Sequence, residues 1–237
     1  MKKTMKKTLA LGLMTSALLM SPSQDANAFV KGFYVGANGG VGYLKTRVNA
    51  DYGANLTRRF DHAGIGATGG LHLGYGWMFA QSWYTGLEGS GALSSIKGDE
   101  DSVIDLANNT FEKTSSQERY NFALALKLGK VVADHCMVYL RLGARFANFR
   151  FTQQQYVLGG AVDSQTTLNK TKVGFEPGLG FAVKIADRWT FHGEYTHAWF
   201  SKQSFAKNNF NAAAADNYSM QPQVGRFLVG FTFHLGR

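Results

Sequence analysis

Apolar and small or polar residues alternate along most of the chain. From Ala63 to Phe79 one face carries Ile65, Leu71, Leu73, Tyr75, Trp77 and Phe79, while the other carries Gly64, Gly66, Thr68, Gly70, His72 and Gly74. From Arg119 to Gly129, Tyr120, Phe122, Leu124, Leu126 and Leu128 oppose Arg119, Asn121, Ala123, Ala125 and Lys127. The stretches 172–185 and 226–235 repeat the pattern, with Val173, Phe175, Pro177, Leu179 and Phe181 on one large face and Phe227, Val229, Phe231 and Phe233 on another. A period of two is the signature of β-strands. After Ala28 no run of about 18 apolar residues occurs, so no membrane-spanning helix is expected.

The two faces differ in a way that decides the environment. A soluble sandwich would show Lys, Glu and Thr on its outer face. Here the second face is mostly Gly, Ala and Thr with isolated charges, which suits the crowded interior of a narrow barrel. The large apolar face then meets lipid. Eight strands are predicted, at about 32–44, 63–79, 82–96, 119–131, 136–149, 171–186, 188–200 and 223–236. Long connectors (45–62, 97–118, 150–170, 201–222) alternate with tight ones near 80–81, 132–135 and 187. The expected fold is all-β: a closed eight-stranded antiparallel up-and-down transmembrane barrel, with long loops outside and tight turns in the periplasm. Trp77, Trp83 and Trp189 fall beside the tight turns and Trp199 near a long loop, as aromatic girdles require.

Composition changes this picture at the N-terminus. The 237 residues carry a net charge of +9. Lys2, Lys3, Lys6 and Lys7 precede an apolar stretch from Thr8 to Met20, and Ala26-Asn27-Ala28 offers a small-x-small cleavage site. Residues 1–28 therefore read as a signal peptide and 29–237 as the barrel domain. Removal of four lysines and Asp25 takes away a net +3 and leaves +6. The lone Cys136 excludes an intramolecular disulfide framework and a Cys-rich zinc module.

Gly-Phe-Tyr-Val-Gly-Ala-Asn at 32–38, Phe-Glu-Pro-Gly-Leu-Gly-Phe at 175–181, Trp-Thr-Phe-His-Gly-Glu-Tyr at 189–195 and Gly-Phe-Thr-Phe-His-Leu at 230–235 carry a resemblance. Together with the signal peptide they resemble the eight-stranded barrels of the OmpA-like and Opa-like (opacity protein) outer-membrane superfamily. The resemblance covers essentially all the mature chain and implies a barrel-only member in a Gram-negative outer membrane. Its two-domain members add a peptidoglycan-binding domain after the barrel, which is not expected here. Gly230, Phe233 and Leu235 also resemble the signal read by the outer-membrane assembly machinery, although Gly236-Arg237 stand where a final aromatic is usual.

Inward positions include Glu88, Lys127, Arg141, Arg145, Glu176, Glu194 and Arg226, with His72, His192 and His234. Charges in such a place must be paired, hydrogen-bonded or wet. Counting from the tight turns predicts a lower network of Glu88 and Glu194 with Lys127 and Arg141, and an upper one of Glu176 with Arg145 and Arg226. A structural plug is expected before a conducting filter. Catalysis lacks its constellation: His192 and Glu194 share an inward face, but no Ser neighbours them and no His-x-Ser pattern occurs. His197 and Tyr195 fall on the lipid face. No metal site and no cofactor are expected.

Lys45, Arg47, Arg119, Arg150, Lys170, Lys172 and Lys202 fall at the outer strand ends, where they would meet lipopolysaccharide phosphates. The 97–118 connector is net −4, which argues against nucleic acid. The expected function is a non-enzymatic, monomeric outer-membrane barrel with surface loops and an adhesin-like role toward host surface molecules. A narrow anion-leaning channel is the alternative, and a lipid-modifying enzyme the third.

Overall fold

The structure, a computed structural model, describes residues 31–51, 57–79, 82–105, 110–133, 135–157, 162–206 and 217–235. The signal peptide and its cleavage site lie outside the described residues. Ten strands are present among the described residues: β1 (Gly32–Asp51), β2 (Thr57–Phe79), β3 (Trp83–Ser94), β4 (Lys97–Asp105), β5 (Thr110–Ala133), β6 (Cys136–Val157), β7 (Val162–Ala186), β8 (Trp189–Phe200), β9 (Gln203–Ala206) and β10 (Asn217–His234). They make eight staves. β4 prolongs β3 beyond a break at Ser95–Ile96, held by Ser95 N–H to Ala67 C=O (2.9 Å) and Glu118 N–H to Ile96 C=O (3.0 Å). β9 prolongs β8 along β10. All pairings are antiparallel, and β1 closes on β10 from Tyr34↔His234 to Asp51↔Asn217.

Alternation sets the two sides of the wall. Ile65 (77% exposed) and Leu93 (74%) point outward, while Glu88, Glu176 and Arg226 are buried inside. Several strands meet so closely that a side chain has no room. A Cβ at Gly40 would stand 1.9 Å from the Phe227 carbonyl oxygen, and one at Gly64 would stand 1.7 Å from that of Lys97. Glycine is required there for close approach, not for a special backbone angle.

The strand ends that flank the tight turns, Phe79 and Trp83, Ala133 and Cys136, Ala186 and Trp189, lie where the alternation predicts them, with residues 80–81 and 134 outside the described residues. The long connectors do not: 45–62, 97–118 and 150–170 are largely strand, and 201–222 has strand at 203–206 and 217–222, with 207–216 outside the described residues. The ladders run on above the lipid to Asp51↔Thr57, Thr110↔Val157 and Tyr156↔Val162. Here Thr, Ser and Gln occupy both faces, as in Gln154–Gln165 (3.1 Å) and Thr152–Thr167 (3.3 Å), so no apolar period betrays the strand. Beyond Gly174↔Phe200, β7 pairs only with β6 among the described residues. The β7–β8 ladder also skips Glu176 and Pro177, the latter having no N–H to give.

A β-bulge at Arg119 resets β5. The register passes from Glu118↔Phe149 to Tyr120↔Asn148. Below it Asn121 and Ala123 face inward; above it Glu118, Ser116 and Thr114 do. An extra residue in one strand inverts the alternation beyond it.

The interior is filled in the outer half by apolar residues: Leu44, Val48, Ile96, Phe149, Phe151, Phe200, Met220 and Val224 are all buried. Phe149 and Phe200 meet edge to face at 4.9 Å. This cluster was not expected in a lumen predicted to hold small residues and charges.

Candidate functional site

The seven predicted lumen charges converge, and Glu118 joins them. In the lower layer Lys127 Nζ lies 2.5 Å from Glu88 and 3.9 Å from Glu194. Arg141 Nε lies 3.7 Å from each of the same two carboxylates. Arg141 also reaches upward through Nη1 to Glu176, which holds Arg145 with its other oxygen. Arg141 therefore joins the two layers into one network.

One predicted pairing is corrected. Arg226 does not bind Glu176; its Nη2 donates to Glu118 and its Nη1 to Asn121 Oδ1 at 3.1 Å. Glu118, assigned by its sequence position to an acidic surface connector, is wholly buried. The cause is the Arg119 bulge, which turns Glu118 to the side that unbroken alternation from Tyr120 denies it. No residue pattern around Arg119 marks the bulge. Among the described residues the ion-paired network joins four acids (Glu88, Glu118, Glu176, Glu194) to four bases (Lys127, Arg141, Arg145, Arg226). The charges balance, while Arg145 Nε and Nη1, Arg226 Nε and Glu118 Oε2 are buried without a hydrogen-bond partner.

Below the network lies a hydroxyl–imidazole layer. His72 Nε2 is 3.0 Å and His192 Nδ1 is 3.3 Å from Thr232 Oγ1, and His234 Nε2 is 3.0 Å from Thr190 Oγ1. Tyr34 donates to Glu88 at 3.2 Å. A cavity of about 40 Å³ lined by Tyr34, Tyr84, Tyr139, Lys127, His192 and His234 lies at the periplasmic end, enough for very few waters. Among the described residues no group of three or more His, Cys, Asp or Glu side chains is placed to hold a metal ion.

Above the girdle a second inward pair forms, which the sequence did not indicate. His62 Nε2 lies 2.8 Å from Ser116 Oγ, both buried. Burial lowers the imidazole to about 4, against the opposing pull of Asp99 and Asp61, so it stays neutral. The pair has the separation of a hydroxyl and a base, and both groups are buried.

The girdle residues stand where expected. Trp77, Trp189 and Trp199 are outward and part-exposed, and Trp83 stacks on Phe79 at 6.4 Å with Lys130 over its ring at 5.8 Å. The seven rim bases divide. Lys45 and Arg47 point outward and share Asp61, at 2.9 and 3.6 Å. Hydrogen bonding from Lys45 holds the Asp61 carboxyl below the usual range. Arg119 is exposed at the bulge, Lys202 in the break before β9, and Arg150 is half-buried on the outer face. Lys170 and Lys172 are corrected: they share the inward parity of Glu176 and line the mouth, not the lipid side.

A closed ring of eight staves with an apolar exterior and an ion-paired interior defines a membrane barrel. The family model of the outer membrane protein beta-barrel domain matches residues 10–232. The chain belongs to that family. This outer-membrane barrel is accordingly placed in the Gram-negative outer membrane. Among solved structures it is similar to the outer membrane protease OmpT from Escherichia coli (10% identity, 92% of this chain and 100% of that one, TM-score 0.50). It is also similar to Ail, the attachment invasion locus protein of Yersinia pestis (14%, 86% and 99%, 0.36), and to OprG from Pseudomonas aeruginosa (15%, 87% and 98%, 0.49). These likenesses concern fold alone. No curated protein matches the sequence significantly.

Proposed function

We propose that this outer-membrane barrel is a non-enzymatic anchor that displays an extracellular β-sheet for binding macromolecules, such as host surface molecules. One observation carries the reading: β7 continues from the girdle row at Phe175 up to Val162 with one long edge unpaired among the described residues. At about 3.3 Å per residue this edge rises roughly 40 Å along the strand. Unpaired N–H and C=O groups recruit an extended segment of a partner by strand addition. Lys170 and Lys172 beside the edge favour an acidic partner.

The interior supports an anchor over a channel. The apolar plug and the balanced charge network lie in series, so a hydrated ion meets two barriers. An enzyme is disfavoured because the inward hydroxyl–imidazole contacts, His62 with Ser116, His72 and His192 with Thr232, and His234 with Thr190, are buried. The test uses the register itself. Thr152 and Thr167 are paired, so replacing residues 153–166 with Asn-Gly shortens the hairpin without shifting it. In a non-adherent strain, the full-length protein confers binding to host-cell matrix and the shortened one does not, while both migrate as heat-modifiable barrels. Unchanged binding overturns the proposal.

A further inference from the structure

One part of the lipid-facing wall is polar. Tyr43 of β1, Gly225 of β10 and His197 of β8 stand side by side in one row, and Pro177 lies opposite His197 in the interrupted β7–β8 ladder. The absent side chain at Gly225 lets the Tyr43 ring cross it: a Cβ there would stand 2.2 Å from Tyr43 Cε1. Tyr43 thereby reaches β8, where its hydroxyl lies 3.0 Å from the Tyr195 hydroxyl and 3.1 Å from His197 Nδ1. Gln223 stands in the next row, between Lys45 and Trp199. Lys45 and Arg47 share the single Asp61 carboxylate above it.

A column of polar side chains thus descends from an under-neutralised basic pair, past the girdle at Trp199, to the bonded cluster of Tyr43, His197 and Tyr195. Its neighbours on the wall are apolar: Tyr43 pairs with Ile65 on β2, and Val41 and Phe227 flank it below. Hydroxyl and imidazole groups facing acyl chains are costly unless they are bonded. Mutual bonding meets part of that cost and leaves the outer lone pairs of both tyrosines free.

We infer that this face of β8, β10 and β1 seats the headgroup of a phosphorylated, acylated glycolipid of the outer leaflet. Lys45 and Arg47, two cations against one carboxylate, take a phosphate. Tyr43, Tyr195 and His197 meet the amide and hydroxyl groups where the acyl chains begin, and Trp199 presents its ring at the height of the sugar. The inference rests on placement in the outer membrane and not on the adhesive role of the sheet.

The protein is refolded into phosphatidylcholine nanodiscs, so that it starts free of glycolipid, and bis-phosphorylated or dephosphorylated lipid A is added. Retention is counted by native mass spectrometry. The native protein retains one molecule. Y43F/Y195F weakens both lipids about tenfold. K45Q/R47Q weakens only the phosphorylated one, also about tenfold. Tyr120→Phe, another outward tyrosine, changes nothing. Heat-modifiable migration shows each variant folded. Equal retention by the native protein and Y43F/Y195F, or equal loss in Y120F, overturns the inference. So does a dimer that Y43F/Y195F abolishes, which would give the face to a second copy.

Discussion

Replacing Glu118 by Ala probes the network where its charge is least replaceable. Arg226 and Glu118 are 1% and 0% exposed in their side chains, and the guanidinium has one further acceptor, Asn121 at 3.1 Å. Without the carboxylate, Arg226 faces the nearby Arg145 with a neutral amide as its partner. Breaking one side of a buried pair costs about 3–5 kcal/mol. Glu118→Gln keeps an acceptor but loses the charge, and should cost about 1.5–3 kcal/mol. The double variant E118L/R226M removes both desolvated charges and should fall within about 1 kcal/mol of the native protein or exceed it. Equilibrium urea unfolding in lipid vesicles, followed by tryptophan fluorescence, measures all three. A control is Lys97→Ala, whose exposed bond to Asp99 is worth at most about 1 kcal/mol. If Glu118→Ala costs no more than Lys97→Ala, the interior is wet around Arg226 and the sealed-lumen argument fails.

Gly40→Val cannot be accommodated against the Phe227 carbonyl, so β1 should fail to close on β10, and heat-modifiable migration should disappear. His62 has its folded value lowered to about 4 from 6.5. Its contribution is therefore complete above pH 6.5 and is lost as pH falls toward 4, because the unfolded state takes the proton first. The protection factor at Ser116, corrected for the intrinsic pH dependence of amide exchange, should fall between pH 7 and 5 in the native protein and not in His62→Gln; identical profiles would refute the assignment. Truncating Phe149 and Phe200 to Ala should cost about 3–5 kcal/mol each. Planar bilayers should still carry no current through that variant, because the charge network remains; a steady conductance would show the plug to be the only seal.

Legibility in the sequence followed the membrane. Between the girdles every stave is amphipathic with period two, because one side must meet acyl chains and the other must pack inside; positions such as Leu71 and His72 declare themselves. Above Trp199 the outer face meets water instead of lipid, so Thr152, Gln154, Gln165 and Thr167 pair as strands without an apolar signature on that face. The seven lumen charges were found by parity, but their partners depend on stagger and on the length of Arg141, which spans two layers. Glu118 was lost to one unpaired residue. The apolar plug was missed because Leu44, Phe149 and Phe200 lie at strand ends, where an aromatic or aliphatic residue reads equally well as interfacial.

Arg119 has a wider consequence as a phase marker. Counting by twos from the membrane gives the wrong side for every residue of β5 beyond it, from Glu118 back to Thr114. A peptide grafted into this arm must be numbered from Glu118, or its recognition residues will point into the apolar plug. Deleting the single residue Arg119 would leave Tyr120 and Glu118 adjacent and already in alternating phase, so the arm would keep its faces and Glu118 its place beside Arg226.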